Sequence, residues 1–131
     1  MKEHPLQKLI YHHKNNPNIG IYSVCSANPF VIDAAVSFAK KENSYLIIES
    51  TSNQVDQYGG YTGMKPKDFQ SFVFNSADKL NLPLQKLILG GDHLGPNVWQ
   101  NEPSSVAMEK AAVQIEAYVK AGYTKIHLDT S

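Results

Sequence analysis

The sequence predicts an α/β fold in which four short parallel strands alternate with helices. Four short runs of apolar, often β-branched residues are separated by segments whose apolar residues recur at helical spacing. The strand-like runs are apolar at consecutive positions, which is typical of strands covered on both faces. Strands of this kind that alternate with helices form parallel sheets.

The first half of the chain contains two predicted helices and two predicted strands. Residues 6–14 keep their apolar side chains at helical spacing, and the β-branched run 19–25 predicts a buried strand. Asn28 followed by proline is a typical helix start, and we expect this helix to end near residue 43. A second strand is predicted over residues 45–50. The predicted inner face of the helix consists of Val31, Ala35, Phe38 and Ala39.

The second half repeats the pattern after a long loop over residues 51–66. A helix is predicted over 66–80 and a strand over 86–91. Ser104 or Ser105 is predicted to cap the last helix, Gly122 to end it, and residues 124–129 to form the fourth strand. The predicted inner face of this helix consists of Met108, Ala112, Ile115, Tyr118 and Val119.

The composition excludes several classes of protein. The 131 residues carry 12 Lys+Arg, all of them lysine, against 12 Asp+Glu. This balance argues against a nucleic-acid or acidic-membrane partner, which needs a basic patch. No apolar run approaches the roughly 20 residues of a membrane helix, and the N-terminus has no apolar stretch like that of a signal peptide. The lone Cys25, predicted to be a small buried hydrophobic residue, fits a reducing, cytoplasmic location.

Polar side chains stand at the ends of the predicted strands, where parallel α/β sheets bind ligands. Adjacent strands lie about 4.8 Å apart, so we expect Glu49, Asp92 and Asp129 to converge on one site as catalytic carboxylates. Asp92 with the neighbouring His93 is suited to bind a divalent metal and to relay a proton.

Each of these residues also has a structural interpretation that the sequence leaves open. Asp92 could accept backbone N–H groups of its loop, with His93 partly buried beside it. His127 and Asp129, two residues apart, could form a hydrogen-bonded pair within the sheet. Glu49 could be exposed at an edge, although its place after an apolar run favours a polar partner or a substrate hydroxyl.

Loop residues complete the predicted site. Ser26 and Asn28 follow the first strand, and Asn97 follows the third. The glycine-rich loop that contains Gly59 and Gly60 fits neither the dinucleotide nor the phosphate-loop pattern. Its length favours an active-site lid, with a plain surface loop as the alternative. We assign all five residues to loops that contact substrate.

One long motif and four shorter ones point to a family. The motif is Gly-Gly-Asp-His-Leu-Gly-Pro-Asn-Val-Trp-Gln at 90–100, and the shorter segments are 23–29, 49–55, 59–64 and 126–131. Together they resemble the accessory subunits of tagatose-1,6-bisphosphate aldolase, the GatZ/KbaZ family. The resemblance implies a TIM-type (β/α)8 barrel of which residues 1–131 form the N-terminal half, a single domain cut from a longer barrel.

The resemblance also implies a chemistry. The family is similar to class II aldolases, which use a divalent metal, commonly zinc. By that analogy Asp92 is the candidate acid/base and His93 the candidate metal ligand. The remaining metal histidines and the phosphate site would follow residue 131.

The function that the resemblance implies is that of an accessory subunit, not catalytic by itself. Its partner would be the catalytic class II aldolase subunit, its ligand a sugar phosphate, and its role the breakdown of galactitol or N-acetylgalactosamine. Two alternatives stay open. One is a metal-dependent ketose-phosphate or sugar-acid epimerase that uses Glu49, Asp92, His93 and Asp129. The other is an inactive barrel fragment.

Overall fold

The computed structural model describes residues 3–130 and shows the predicted alternation of helices and strands. Its elements are α1 (Pro5–Asn15), β1 (Ser23–Cys25), α2 (Pro29–Lys41), β2 (Leu46–Thr51), α3 (Pro66–Lys79), β3 (Leu87–Leu94), α4 (Ser104–Lys120) and β4 (Lys125–Leu128). Short 3-10 turns occupy Leu84–Lys86 and Pro96–Trp99. Among residues 3–130, none of the helices has the length and apolar character needed to cross a membrane.

The four strands form one parallel sheet in the order β1-β2-β3-β4. Strands that are consecutive in the chain are therefore neighbours in the sheet, with a helix on each crossover. This is the arrangement of a partial TIM-type barrel, and it confirms the predicted fold class. It also places the carboxyl ends of all four strands along one edge of the sheet.

The two faces of the sheet differ in character. One face packs against the helices, and its strand residues Leu46, Ile48 and Leu89 belong to the main hydrophobic core. The helix residues of that core include Ile32, Val36, Ala39, Phe69, Val73, Ala77 and Tyr118. The alternating strand positions, which include Ile47 and Glu49, point to the opposite face. That second face carries the polar side chains described below.

Strand β1 is shorter than predicted and only partly covered. It spans Ser23–Cys25 instead of residues 19–25, because it lies at an edge of the sheet and pairs with β2 alone. The prediction that Cys25 is buried is wrong. Cys25 is exposed, because a side chain on an edge strand lacks a neighbouring strand on one side.

The predicted inner faces of two helices are partly wrong. On α2, Val31 and Phe38 are 42% and 50% exposed, whereas Ile32 and Val36 are buried. On α4, Met108, Ala112 and Val119 are exposed. The buried residues of α4 are Ala107, Ala111, Gln114 and Tyr118. The prediction followed the larger apolar side chains, but the face that meets the sheet combines small alanines with a polar glutamine.

Two of the predicted helix ends are confirmed and one is wrong. The Asn28 side chain accepts hydrogen bonds from the Phe30 and Val31 N–H groups at 2.9 and 3.4 Å, as predicted for an N-cap. Gly122 has a φ of +90° just after α4, which confirms it as the helix stop. The predicted serine cap of α4 is wrong, because Pro103 is the N-cap residue and no side chain caps this helix.

Candidate functional site

Strand β3 carries a bulge at the point where the predicted site residues lie. Gly91 pairs with Ile126 and Leu94 pairs with Leu128, so two residues of β3 stand opposite one residue of β4. The two are Asp92 and His93, and the one is His127. An extra residue of this kind bends the strand and turns its side chains to new directions, and such bulges are common beside active sites.

The bulge places two adjacent side chains on the same side of the sheet. In a regular strand Asp92 and His93 would point to opposite faces. Here His93 has a φ of +83°, a left-handed conformation that costs a non-glycine residue about 1–3 kcal/mol. Both side chains reach His127, and Leu94 then points into the hydrophobic core. The residue that directly follows Asp92 and His93 in β3 is therefore again a core residue.

The carboxylates and imidazoles form two crossed pairs. His127 Nδ1 lies 2.9 Å from Asp92 Oδ1, and His93 Nδ1 lies 3.1 Å from Asp129 Oδ2. The two imidazole rings lie 4.4 Å apart between centroids, at an angle of 62°. The predicted alternative of a His127–Asp129 pair within one strand is therefore wrong. The partners recorded for Asp92 are side chains, not the backbone N–H groups of a loop turn.

Glu49 and Lys125 continue the cluster toward β2. Glu49 is only 4% exposed, which rules out the alternative of an edge-exposed glutamate. One of its carboxylate oxygens accepts a hydrogen bond from the Lys125 ammonium, and the other accepts a hydrogen bond from the Ser23 hydroxyl. Lys125 Nζ also lies 3.9 Å from Asp92 Oδ1. Glu49 and Asp92 thus meet at one lysine, and Asp129 joins the cluster through His93.

The donor atoms of this cluster suit a divalent cation. One ligand atom from each of Asp92, His93 and His127 lies within 4.8 Å of the other two. Two imidazole nitrogens and one carboxylate oxygen are the protein ligands of many catalytic zinc sites. In both crossed pairs the imidazole faces a carboxylate through Nδ1. A proton on Nδ1 leaves the lone pair of Nε2 for a metal.

The charge of the cluster points the same way. Glu49, Asp92 and Asp129 contribute three negative charges and Lys125 one positive charge, which leaves minus two when both histidines are neutral. A divalent cation would cancel this charge. A sugar phosphate placed directly on the carboxylates would add to the repulsion.

A polar cleft of about 240 Å³ adjoins His93 and Asp129. Its lining supplies hydroxyls, amides, an imidazole and a carboxylate, the groups that bind sugar hydroxyls. The lining residues are Thr51, Ser52, Asn53, His93, Gly95, Asn97, Val98 and Asp129. Asn97, predicted as a substrate-loop residue, is therefore next to the cluster. The predicted role of each of these residues toward substrate stays a prediction.

The other predicted loop residues lie in well-defined turns. The Ser26 hydroxyl accepts a hydrogen bond from the Asn28 N–H at 3.1 Å, and the Asn28 side chain caps α2. In the glycine-rich loop, Asp56 Oδ1 accepts the N–H groups of Gly59 and Gly60 at 2.7 and 3.0 Å. These contacts make the loop a compact turn at the end of β2. Its predicted role as a lid stays a prediction.

Cys25 borders the cluster without the properties of a nucleophile. Its Sγ lies 3.6 Å from Gln54 Oε1. Partial burial of the thiol within an otherwise exposed residue, with the negative charges of Asp92 and Glu49 in addition, raises its pKa from 9.0 to about 11. Both effects disfavour the thiolate.

We therefore expect slow alkylation of Cys25 in the folded protein. At pH 8 a pKa of about 11 leaves roughly 100-fold less thiolate than an ordinary thiol has, and the greater nucleophilicity of a more basic thiolate recovers roughly tenfold. Iodoacetamide should react roughly tenfold more slowly than with the urea-unfolded chain, and the rate should rise with pH up to about 11. Equal rates for the folded and unfolded chains at pH 8 would contradict this expectation.

The sequence analysis missed Lys125 altogether and did not include His127 among the candidate metal ligands. The signal was present, because Lys125, His127 and Asp129 alternate along one strand and a lysine at the first of these positions interrupts an apolar pattern. What the pattern did not show is its partner. Only the parallel register, in which Glu49 pairs with Gly90 and Gly90 with Lys125, brings β2 and β4 within reach of each other across a glycine.

Gly90 is the position that permits this contact. A Cβ atom there would lie 2.6 Å from Glu49 Oε1, so any other residue would displace the glutamate. The absence of a side chain on β3 lets Glu49 reach across that strand to Lys125 on β4.

Comparison with known proteins identifies relatives along almost the whole chain. The family model described as D-tagatose-1,6-bisphosphate aldolase subunit GatZ/KbaZ-like matches residues 6–131. A protein of Klebsiella pneumoniae subsp. pneumoniae named D-tagatose-1,6-bisphosphate aldolase subunit GatZ is 56% identical over 126 residues, which are 96% of this chain. A protein of Salmonella newport (strain SL254) with the same name has the same identity and coverage.

A solved structure agrees in fold. The crystal structure of a protein from Sinorhizobium meliloti 1021, called a probable tagatose 6 phosphate kinase, superposes with a TM-score of 0.83 at 56% identity. The superposition covers 86% of this chain and 29% of the other. The chain likewise spans 30% of the length of the two named relatives.

Proposed function

Because the chain belongs to the GatZ/KbaZ-like family of D-tagatose-1,6-bisphosphate aldolase subunits, we propose that it is part of an accessory subunit of a class II tagatose-1,6-bisphosphate aldolase. In this role it supports the activity and stability of a catalytic partner subunit during galactitol or N-acetylgalactosamine breakdown. The observation that carries the proposal is the match over residues 6–131 to proteins that bear this subunit name.

The cluster at the ends of β3 and β4 is the proposed ligand site of this subunit. Asp92, His93 and His127 would hold a divalent metal, zinc by analogy with class II aldolases. When bound, such a metal polarises the ketose carbonyl of a sugar phosphate. The cluster charge of minus two supports this assignment, as do the Nδ1 contacts of both histidines, and His93 Nε2 lies 3.9 Å from Asp92 Oδ1.

The remaining residues orient and balance the ligands. Asp129 holds the His93 ring through Nδ1, which fixes the ring and directs Nε2 away from the carboxylate. Glu49 holds the Lys125 ammonium, and that ammonium keeps a positive charge 3.9 Å from Asp92. The Asp92 carboxylate oxygen that does not bind the metal is our candidate for moving a proton to or from a substrate hydroxyl in the adjoining cleft.

The substrate is proposed to lie with its hydroxyls in the cleft and its phosphate elsewhere. Asn53, Asn97 and Asp129 offer amide and carboxylate groups to hydroxyls. The negative cluster disfavours a phosphate, which would need lysines, backbone N–H groups or a helix N-terminus. With balanced charge and no arginine, the chain offers little for nucleic acid or an acidic membrane, and we propose a cytoplasmic role.

Other activities receive less support. The kinase name of the related Sinorhizobium protein is not carried over, because the loop at 59–65 lacks the Gly-Lys-Ser/Thr ending of a phosphate loop. The alternatives of an epimerase and of an inactive fragment are not favoured by relatives that are named as aldolase subunits.

The proposal is tested by reconstitution with a catalytic class II tagatose-1,6-bisphosphate aldolase subunit. We expect the two proteins to co-elute in gel filtration, and the catalytic subunit to gain turnover or a longer half-life on warming. Bovine serum albumin at the same concentration controls for nonspecific protection. Separate elution together with unchanged turnover and half-life would reject the accessory role.

A further inference from the structure

The strained bulge at Asp92–His93 is held by residues that lie outside the cluster. The Ser52 hydroxyl, at the exit of β2, lies 3.0 Å from the His93 carbonyl oxygen. Ser52 is only 3% exposed. Its hydrogen bond fixes the peptide group that follows the left-handed His93, and so fixes the direction in which the His93 side chain leaves the strand.

Ser52 is in turn held by a glutamine from helix α4. Gln114 is fully buried, and its Oε1 lies 2.9 Å from Ser52 Oγ. Its Nε2 donates to the Val55 carbonyl at 3.4 Å, in the turn that follows β2. The single Ser52 proton is therefore shared between the His93 carbonyl and Gln114.

A buried glutamine is costly for a helix that otherwise packs alanines and a tyrosine against the sheet. An apolar residue of similar size would fill the same space without a need for hydrogen-bond partners. What Gln114 adds is a polar link from the helix layer through Ser52 to the backbone of His93. A link of this kind fits a part of the strand that regular pairing does not hold.

We propose that Ser52 and Gln114 are positioning residues that hold the bulge so that Asp92, His93 and His127 face one point. They act through the backbone of His93. Ser52 borders the cleft, but its hydroxyl proton is directed to the His93 carbonyl and to Gln114. That this geometry serves to bind a metal rests on the proposed function. The positioning of the bulge by Ser52 and Gln114 does not, so the positioning role and the metal site can be tested separately.

The first experiment measures geometry in the absence of metal. With labelled histidines, the wild-type protein should show nuclear Overhauser contacts between the rings of His93 and His127, whose centroids lie 4.4 Å apart. Ser52→Ala should weaken these contacts at least fivefold. The matched control is Ser50→Ala, which removes another buried hydroxyl of β2 that lies 3.0 Å from the Tyr118 hydroxyl and does not contact His93.

The second experiment measures zinc affinity by calorimetry in the same proteins. Loss of a residue that orients a metal ligand usually weakens binding by about 10- to 100-fold. We expect at least tenfold weaker binding for Ser52→Ala and less than a twofold change for Ser50→Ala. Gln114→Met keeps the volume of the side chain and removes the hydrogen bond to Ser52, and we expect the same loss of zinc affinity. This variant takes the place of Ser52→Ala if Ser52→Ala folds poorly.

The outcomes separate the two ideas. Ring contacts that persist unchanged in Ser52→Ala and Gln114→Met would overturn the positioning role, as would an equal loss in Ser50→Ala. If the wild-type protein binds no zinc but Ser52→Ala still loses the ring contacts, the positioning role stands and the metal proposal fails.

Discussion

Gly95→Ala is expected to lower the free energy of unfolding by about 3 kcal/mol or more, in the range of severe overpacking. A Cβ atom on Gly95 would overlap the backbone carbonyl oxygen of Asp129. The φ of Gly95 is −178°, an extended value that alanine adopts readily, so the whole effect is steric. Relief requires the end of β4 to move away from β3, which breaks the 3.0 Å hydrogen bond from the Asp129 N–H to the Leu94 carbonyl.

Urea unfolding followed by circular dichroism measures this effect, and Gly20→Ala provides the control. A Cβ on Gly20 would meet no atom within 4 Å, and the φ of Gly20 lies outside the left-handed region. That variant should stay within about 0.5 kcal/mol of the wild type. A Gly95→Ala variant as stable as Gly20→Ala would show that the two strand ends are not packed as described.

Asp92→Asn is expected to weaken zinc binding by about 100-fold or more. The substitution removes a charged ligand and reduces the cluster charge from minus two to minus one, while the amide oxygen can still accept from His127. Calorimetric titration with zinc measures the loss. The control is Asp33→Asn on α2, whose carboxylate pairs with Lys79 at 3.2 Å outside the cluster and should bind zinc as the wild type does.

The same variant separates a metal role from an accessory role. If support of the catalytic subunit depends on contacts between the two proteins, Asp92→Asn should still co-elute with that subunit and raise its turnover. Zinc affinity equal to that of the wild type would remove Asp92 from the ligand set and with it the proposed metal site.

The order of elements was predictable because each of them is fixed locally. The Asn28 cap, the Gly122 stop and the apolar strands are short-range signals, and the structure confirms each of them, although β1 is shorter than predicted. Faces and edges were not predictable in the same way. Whether Phe38 or Val36 is buried on α2 depends on where the sheet lies, and the exposure of Cys25 depends on its strand being an edge.

The candidate site shows the same limit. The strand-end positions of Glu49, Asp92 and Asp129 followed from the pattern of the sequence, but the pairs that join them did not. Strict alternation predicts that His93 points away from Asp92, and the bulge reverses that. A bulge is an extra residue in one strand relative to the strand that pairs with it. The position of a bulge therefore cannot be predicted from the sequence of either strand alone.

Because β3 has one residue more than β4 at the bulge, the number of residues between Gly91 and Leu94 is constrained independently of their identity. Removing one of the two would restore regular pairing and leave Leu94 opposite Leu128 and in the core, but it would take either Asp92 or His93 out of the polar cluster. The packing of the core therefore tolerates the loss of the extra residue and the cluster does not, so the length of β3 at this point serves the cluster and not the core.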